Sequence, residues 1–517
     1  MATHALYNEQ VTTVVEVDST PEPTLATRQP SPVATQVVKV QAKQQAGIKW
    51  VPALQAVCVG LALRYLIPIP LGITEQGWSL LSIFVSTVLG LVLNPLPVGA
   101  IAILGATTCL ATHTLGFEQA FGALTNQVIW LIVVSFFFAK GIEKTGLGSR
   151  IATHCVRLMG KSTLGLALGL SLAETVLSPA MPSTSARSAG IFIPIIKSLS
   201  ETAGSHPGEG STTRTKIGAF LAQSQFQSTL HSSCLFITGS ADNLLCFDLA
   251  KELGVDLTPL QWTAGCALPA LLGLILTPLL VFKMVPPDVT DTPDAPRQAE
   301  EKLKQLGPMS DNEKIMLATM GVAVSLWVFG PSVGVLPVEA ALMGLCLLLV
   351  SGVMSWSDVL SHSPAWDTLI WFAVLISISS QLNTLGVIGS LSSGISGGLA
   401  ALHLGWPTLF ILLHLAFFCS HYLFASQAAH VGALYAAFLS MMLAGGVPPV
   451  LAAMTLAYSV NLFGSITHYS SGQAAAYYGS GYLSLQEVFK VGAVNGFGSL
   501  ALYGLCGVGI WKWLGWY

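Results

Sequence analysis

Met181-Pro182-Ser183-Thr184-Ser185-Ala186-Arg187-Ser188-Ala189-Gly190-Ile191-Phe192-Ile193-Pro194-Ile195 sets hydroxyls, one arginine and flanking prolines inside an otherwise apolar chain. A second stretch repeats its grammar: Phe424-Ala425-Ser426-Gln427-Ala428-Ala429-His430-Val431-Gly432-Ala433-Leu434-Tyr435-Ala436-Ala437-Phe438. Each copy reads Ser, two small or polar residues, Ala, a cation-capable side chain, then an apolar run. Ser426 follows Ser183 by 243 positions, and Trp371 follows Trp130 by 241 within similar apolar segments. Near-equal spacing predicts an internal duplication. Paired, interrupted apolar segments point to a transporter site near the bilayer midplane.

The rest of the chain agrees. Of 517 residues 52% are hydrophobic and only 9% charged, and the mean hydropathy is +0.67. Soluble domains carry about 25% charged residues. The chain reads as an all-α polytopic membrane protein, with apolar stretches from 51–69 to 488–514. About 11–14 membrane segments are expected, some of them re-entrant hairpins. Fifty glycines and 27 prolines suit broken, closely packed helices. A net charge of −3 excludes a basic nucleic-acid binder. The nine cysteines stand singly, without metal-ligand spacing, so no metal and no cofactor are expected.

Four regions follow from the pattern: a disordered tail over 1–46, a first membrane repeat over 47–285, a hydrophilic linker over 286–313 and a second repeat over 314–517. The linker reads as a solvated connector with a short surface helix over 297–305. Residues 140–161, rich in Lys and Arg, are expected on the cytoplasmic side, or the stromal side in a plastid. Trp511 to Tyr517 reads as an interfacial anchor.

Several segments resemble the divalent anion/sodium symporter family, and more narrowly its plastidic 2-oxoglutarate/malate translocator branch. They are Pro182–Arg187, Ser420–His430, Gly307–Glu313, Ala365–Leu369 and Leu462–Tyr469. The resemblance runs from about 48 to 517. It implies two inverted repeats with broken helices and re-entrant hairpins, usually in a homodimer embedded in membrane lipid. Each hairpin tip in that family carries a Ser-Asn-Thr motif. Here the first tip reads Ser183-Thr184-Ser185 and the second Ser426-Gln427-Ala428. Ala428 offers no side-chain oxygen to sodium, and exchangers of the family likewise lack complete sodium motifs, so the departure favours exchange over symport. The resemblance implies a plastid inner envelope, with a cell membrane as the alternative.

The substrate-binding set expected is Ser183, Thr184, Ser185, Arg187, Ser426, Gln427, Ala428, His430, Thr467 and His468. Burying a dicarboxylate near the midplane without partners is prohibitive. Two half-helix N-termini supply about +0.5 each. Arg187 adds a fixed +1, with Glu174 as an alternative partner, and His430 adds between 0 and +1. A positive site that cannot cross empty predicts obligatory exchange. The function expected is exchange of dicarboxylates of the 2-oxoglutarate/malate type, with sodium- or proton-coupled symport as the alternative. Malate, 2-oxoglutarate, succinate, citrate and tartrate all satisfy the charge argument. Ser426 and His430 stand four apart, but no acid orients the histidine and no nucleophile elbow occurs, so a hydrolase is not expected. The absence of a phosphate-binding loop argues against ATP-driven transport.

Overall fold

A computed structural model describes residues 47–208, 211–390, 405–424 and 426–517. The expected tail over 1–46 lies outside the described residues. Among those described, the chain is all-α apart from one isolated β-bridge between Ser162 and Asp291.

Among the described residues, seven helices are long and apolar enough to cross a membrane, or eight if Phe117–Thr125 and Gln127–Thr145, a pair bent by 53°, count as one broken span. Among the same residues, four shorter apolar helices, two of them Val98–Ala111 and Pro337–Val350, add to these. Every apolar stretch in the sequence holds a helix, but several are divided by polar breaks and are too short to cross alone.

The order of elements runs twice. Glu75–Leu93, Val98–Ala111, Gln127–Thr145 and Thr163–Leu177 are matched by Asp311–Phe329, Pro337–Val350, Ser363–Thr384 and Trp406–Ser420. Beyond the tips, Gly218–Leu235 ends in a 3-10 turn at Ile237–Gly239 and restarts as Ala241–Glu252. Pro449–Leu462 likewise ends in a 3-10 turn at Phe463–Ser465 and restarts as Gly472–Gly479. Each half closes on a long helix, Pro259–Met284 or Leu485–Trp513.

The halves interlock. The first tip packs on Gly472–Gly479 of the second half, while the turn Val431–Tyr435 behind the second tip packs on Ala241–Glu252 of the first. The two broken helices Gly218–Leu235 and Pro449–Leu462 meet between them.

The helix Gly218–Leu235 is the exception to apolar packing. It carries Gln223, Ser224, Gln225, Gln227, Ser228, Thr229, His231, Ser232 and Ser233, and all 18 of its residues are buried. It is too polar to face lipid, so it lies inside, against Thr163–Leu177, Pro259–Met284 and the second broken helix. Gln225, Thr229 and Ser233 share one face at four-residue spacing; Gln227 and His231 share another. The second face bonds across the core: Ser465 Oγ donates to Gln227 Oε1 at 2.9 Å, and His231 Nε2 pairs with Thr277 Oγ1 at 3.1 Å.

The linker is polar but docked. Its helix, Ala295–Leu306, buries Ala295 and Ala299 against Leu147–Met159. Arg150 then clasps Glu313 (Nε–Oε1 2.6 Å) and donates to the carbonyls of Gly307 at 3.0 Å and Leu306 at 3.4 Å. Four residues per turn put the two alanines on one face, which a composition reading of the segment does not register. A second bridge between halves joins Lys144 to Asp358 at 2.6 Å. The Lys144 ammonium and two bonds from Ser355 hold the Asp358 carboxyl well below the usual carboxylate range.

Gly492 lets the closing helix touch the second break. A Cβ there would stand 2.6 Å from Ser465 O and 2.8 Å from Ile466 O, both backbone atoms that cannot step aside. Gly492→Val is therefore expected to destabilise the protein by about 1–3 kcal/mol, read as a lower melting temperature in scanning fluorimetry. A melt equal to wild type rejects this packing.

Candidate functional site

Both tips are built alike. Ser183 caps the helix Thr184–Arg187, its Oγ accepting from Ala186 N at 3.2 Å. Ser426 caps Gln427–His430, its Oγ accepting from Ala429 N at 3.4 Å. Serine suits this place because its hydroxyl satisfies one of the N–H groups that a helix start leaves open. The N–H groups of Thr184 and Ser185, and of Gln427 and Ala428, remain outside the helical ladder. Each tip then widens into a π turn of five residues, Ser188–Phe192 in the first half and Val431–Tyr435 in the second.

A third helix start lies against them. Ser471 caps Gly472–Gly479, accepting from Ala474 N at 3.2 Å. Thr184 donates through Oγ1 to Gln473 Oε1 at 2.7 Å. Gln473 Nε2 donates to Gln427 Oε1 at 3.4 Å, and Gln427 Nε2 to Val460 O at 2.7 Å. So a chain of two amides joins the first tip to the second. The approach is close: a side chain at Gly472 would run into Ser185 Oγ, and one at Gly464 would meet Gln427 Nε2 at 2.5 Å. A fourth start, Ala241–Glu252 behind its cap Ser240, holds its own acid, Asp242, in the first turn.

Arg187 does not stand beside these helix starts as an unpaired charge. It is fully buried and pairs with the equally buried Glu174 (Nε–Oε1 3.2 Å). Its Nη1 donates to the carbonyls of Met181 and of Gly239, the latter at 2.9 Å, and its Nη2 to Ser233 Oγ at 2.6 Å. Glu174 also accepts from Gln225 Nε2 at 2.5 Å and Thr229 Oγ1 at 3.0 Å. One face of the polar helix thus holds the ion pair, and the pair ties the root of the first tip to the break at Ile237–Gly239. The fixed +1 assigned to the site from sequence is cancelled by Glu174, because neither charge has water to turn to.

His430 is turned inward as well. It is fully buried. Its Nδ1 meets His421 Nδ1 at 3.0 Å and its Nε2 meets Ser420 Oγ at 3.1 Å. His421 Nε2 donates to Ser470 O at 2.8 Å. Ser420 Oγ also lies 2.7 Å from Phe417 O; with its one hydrogen turned to His430 Nε2, two neutral rings satisfy the chain, His421 accepting at Nδ1 and His430 donating there. Phe417, Phe424 and Phe463 enclose the His430 ring, with centroids 4.6, 4.8 and 4.7 Å away. His430 is thus enclosed by protein partners, not open beside the tip as the sequence reading expects.

The sequence-derived set divides accordingly. Thr184, Ser185 and Gln427 come together with Gly472 and Gln473. Ser183 and Ser426 act as caps, and Ala428 is half-buried beside them. Thr467 is fully buried in the turn after the second break, its Oγ1 accepting from Tyr469 N at 3.4 Å. His468, in the same turn, packs its ring against Tyr469, Tyr478 and Phe489. Sequence reasoning missed Gln473, Ser471 and the polar face of the helix 218–235. One signal was there: Ser471-Gly472-Gln473 follows Ser240-Ala241-Asp242 by 231 positions, after a break in each half.

With Arg187 paired and His430 enclosed, the partial positive charge left at these residues is that of three helix starts, about +0.5 each. Such starts bind anions through backbone N–H groups, and the half-buried hydroxyls add orienting partners.

Comparison with known proteins places this chain among membrane carriers. The sequence model of the sodium:sulfate symporter transmembrane region matches residues 48–517. Dicarboxylate transporter 2, chloroplastic, of Spinacia oleracea is 54% identical over 92% of this chain and 84% of its own. A putative malate transporter of Bacillus subtilis is 42% identical over 92% and 98%. An L-tartrate/succinate antiporter of Escherichia coli is 32% identical over 87% and 95%.

Proposed function

The chain belongs to the sodium:sulfate symporter family, and from that premise we propose that it is a secondary carrier exchanging short dicarboxylates, of the 2-oxoglutarate/malate type, by alternating access. The observation that carries this reading is the pair of serine-capped tips, one from each half, joined through Gln473 beside a third helix start. One carboxylate of the substrate sits at the N–H groups of Thr184 and Ser185, the other at those of Gln427 and Ala428. Thr184, Ser185 and Gln427 orient it. Ser183, Ser426, Arg187 and His430 position the tips, and the Thr467-His468 turn sets the start at Ser471.

Exchange follows from the same charges. Three unoccupied helix starts present partial positive charge that an apolar barrier penalises; a bound dianion offsets it. The incomplete sodium ligands at Ala428 and the resemblance to a named antiporter support exchange over symport. Likeness to a chloroplastic transporter supports a plastid inner envelope, and the family resemblance a homodimer.

Counter-exchange in proteoliposomes tests the reading. Uptake of labelled malate is expected to require internal malate, 2-oxoglutarate or succinate and to proceed without sodium. Equal uptake into empty vesicles, or a strict sodium requirement, rejects exchange.

A further inference from the structure

We propose that Gln473 selects dicarboxylates bearing an oxygen on the carbon next to a carboxylate, the 2-hydroxy and 2-oxo acids, over unsubstituted ones. The inference rests on the dicarboxylate reading above and adds the residue that reads the substrate between its two charged ends.

Placement carries it. If the carboxylates go to the two tips, the residue bridging the tips faces the middle of the substrate. Gln473 is that residue, only 4% exposed, accepting from Thr184 at 2.7 Å and donating to Gln427 at 3.4 Å. The second bond is long for N–H···O. It is the one a ligand oxygen displaces at least loss. A keto oxygen accepts from the freed Nε2–H; a hydroxyl accepts from it equally well. A methylene at the same place offers no acceptor, so the amide is left with only its long bond to Gln427, and sites built to bond a substrate oxygen discriminate on that ground.

The arrangement has no twin. The repeat-related position is Asp242, whose carboxylate accepts from its own cap, Ser240 Oγ, at 3.2 Å. An amide able to donate follows the cap of one restarted helix, and an acid that only accepts, when ionised, follows the cap of the other. The oxygen of an asymmetric substrate is therefore read in one orientation.

The test compares Gln473→Met with wild type in proteoliposomes, measuring uptake of malate against succinate and of 2-oxoglutarate against glutarate. Methionine keeps the length and removes both donor and acceptor. The wild type is expected to prefer the oxygen-bearing member of each pair. The preference is expected to fall at least tenfold in the variant, to near unity, whatever the absolute rates. A merely structural role would lower all four together. If Gln473→Met does not reach the membrane, Gln473→Asn carries the test, since it draws the amide back by one methylene and is expected to weaken the same preference. A preference unchanged within twofold in either variant overturns the proposal. Wild-type vesicles that move none of the four acids overturn the dicarboxylate reading itself, a distinct result.

Discussion

Arg187→Met is expected to lower stability by about 3–5 kcal/mol, the largest effect of any single change here. The reason is what it leaves behind. Glu174 is fully buried, and its remaining partners, Gln225 and Thr229, are neutral. A buried carboxylate without its counter-charge is far worse placed than no carboxylate at all. The double variant Arg187→Met, Glu174→Met removes both charges and is expected to regain most of the loss. It will not regain all of it, because the carbonyls of Met181 and Gly239 lose their donor. Scanning fluorimetry of the purified carrier reads both effects. A single variant as stable as wild type, or a double variant no better than the single, rejects the pair as a structural tie. The double variant also separates positioning from binding. A misplaced tip slows transport, whereas loss of a direct ligand raises KM.

Gln427→Glu is expected to cut dicarboxylate uptake at neutral pH by at least about a hundredfold. Two unit charges 4 Å apart in an effective dielectric near 20 repel by about 4 kcal/mol, and the new carboxylate would stand at the second tip, where one end of the anion must go. It would also lose the donation to Val460 O, now 2.7 Å, and set two oxygens facing each other. Gln427→Met separates these terms, since it removes the hydrogen bonds without adding charge. Initial rates of exchange for both variants, normalised to protein in the membrane, provide the check. If the Glu variant works within threefold of the Met variant, the second tip does not receive a carboxylate.

The outline of the site was legible because its parts are local. Ser-x-x-Ala followed by an apolar run marks a capped helix start, and two copies 243 residues apart mark a duplication. What lay hidden was direction. Arg187 and His430 are cation-capable in any sequence; only packing shows that Glu174 cancels one and His421 and Ser420 enclose the other. Glu174 and Arg187 are 13 residues apart, close enough to suspect the pair, yet the choice between partner and ligand depends on a helix almost fifty residues further on. The bridge from Thr184 to Gln473 spans 289 residues, beyond any local pattern. The helix Gly218–Leu235 shows the same limit. Its length marked a crossing, but its serines and glutamines gave no hint of two polar faces serving different neighbours.

The π turns after the tips have their own consequence. An extra residue in one turn of helix rotates everything beyond it by about 100°. The serine-capped ends can then turn toward Gln473, while Ile193–Thr202 and Ala436–Ala444 keep their own packing phase. The slip begins at Ser188 and at Val431, the same 243 positions apart as the caps. The side chains of the two tips have diverged; the phase error has not. What the two halves hold in common is a way of aiming a helix end, and each has been free to choose what it aims.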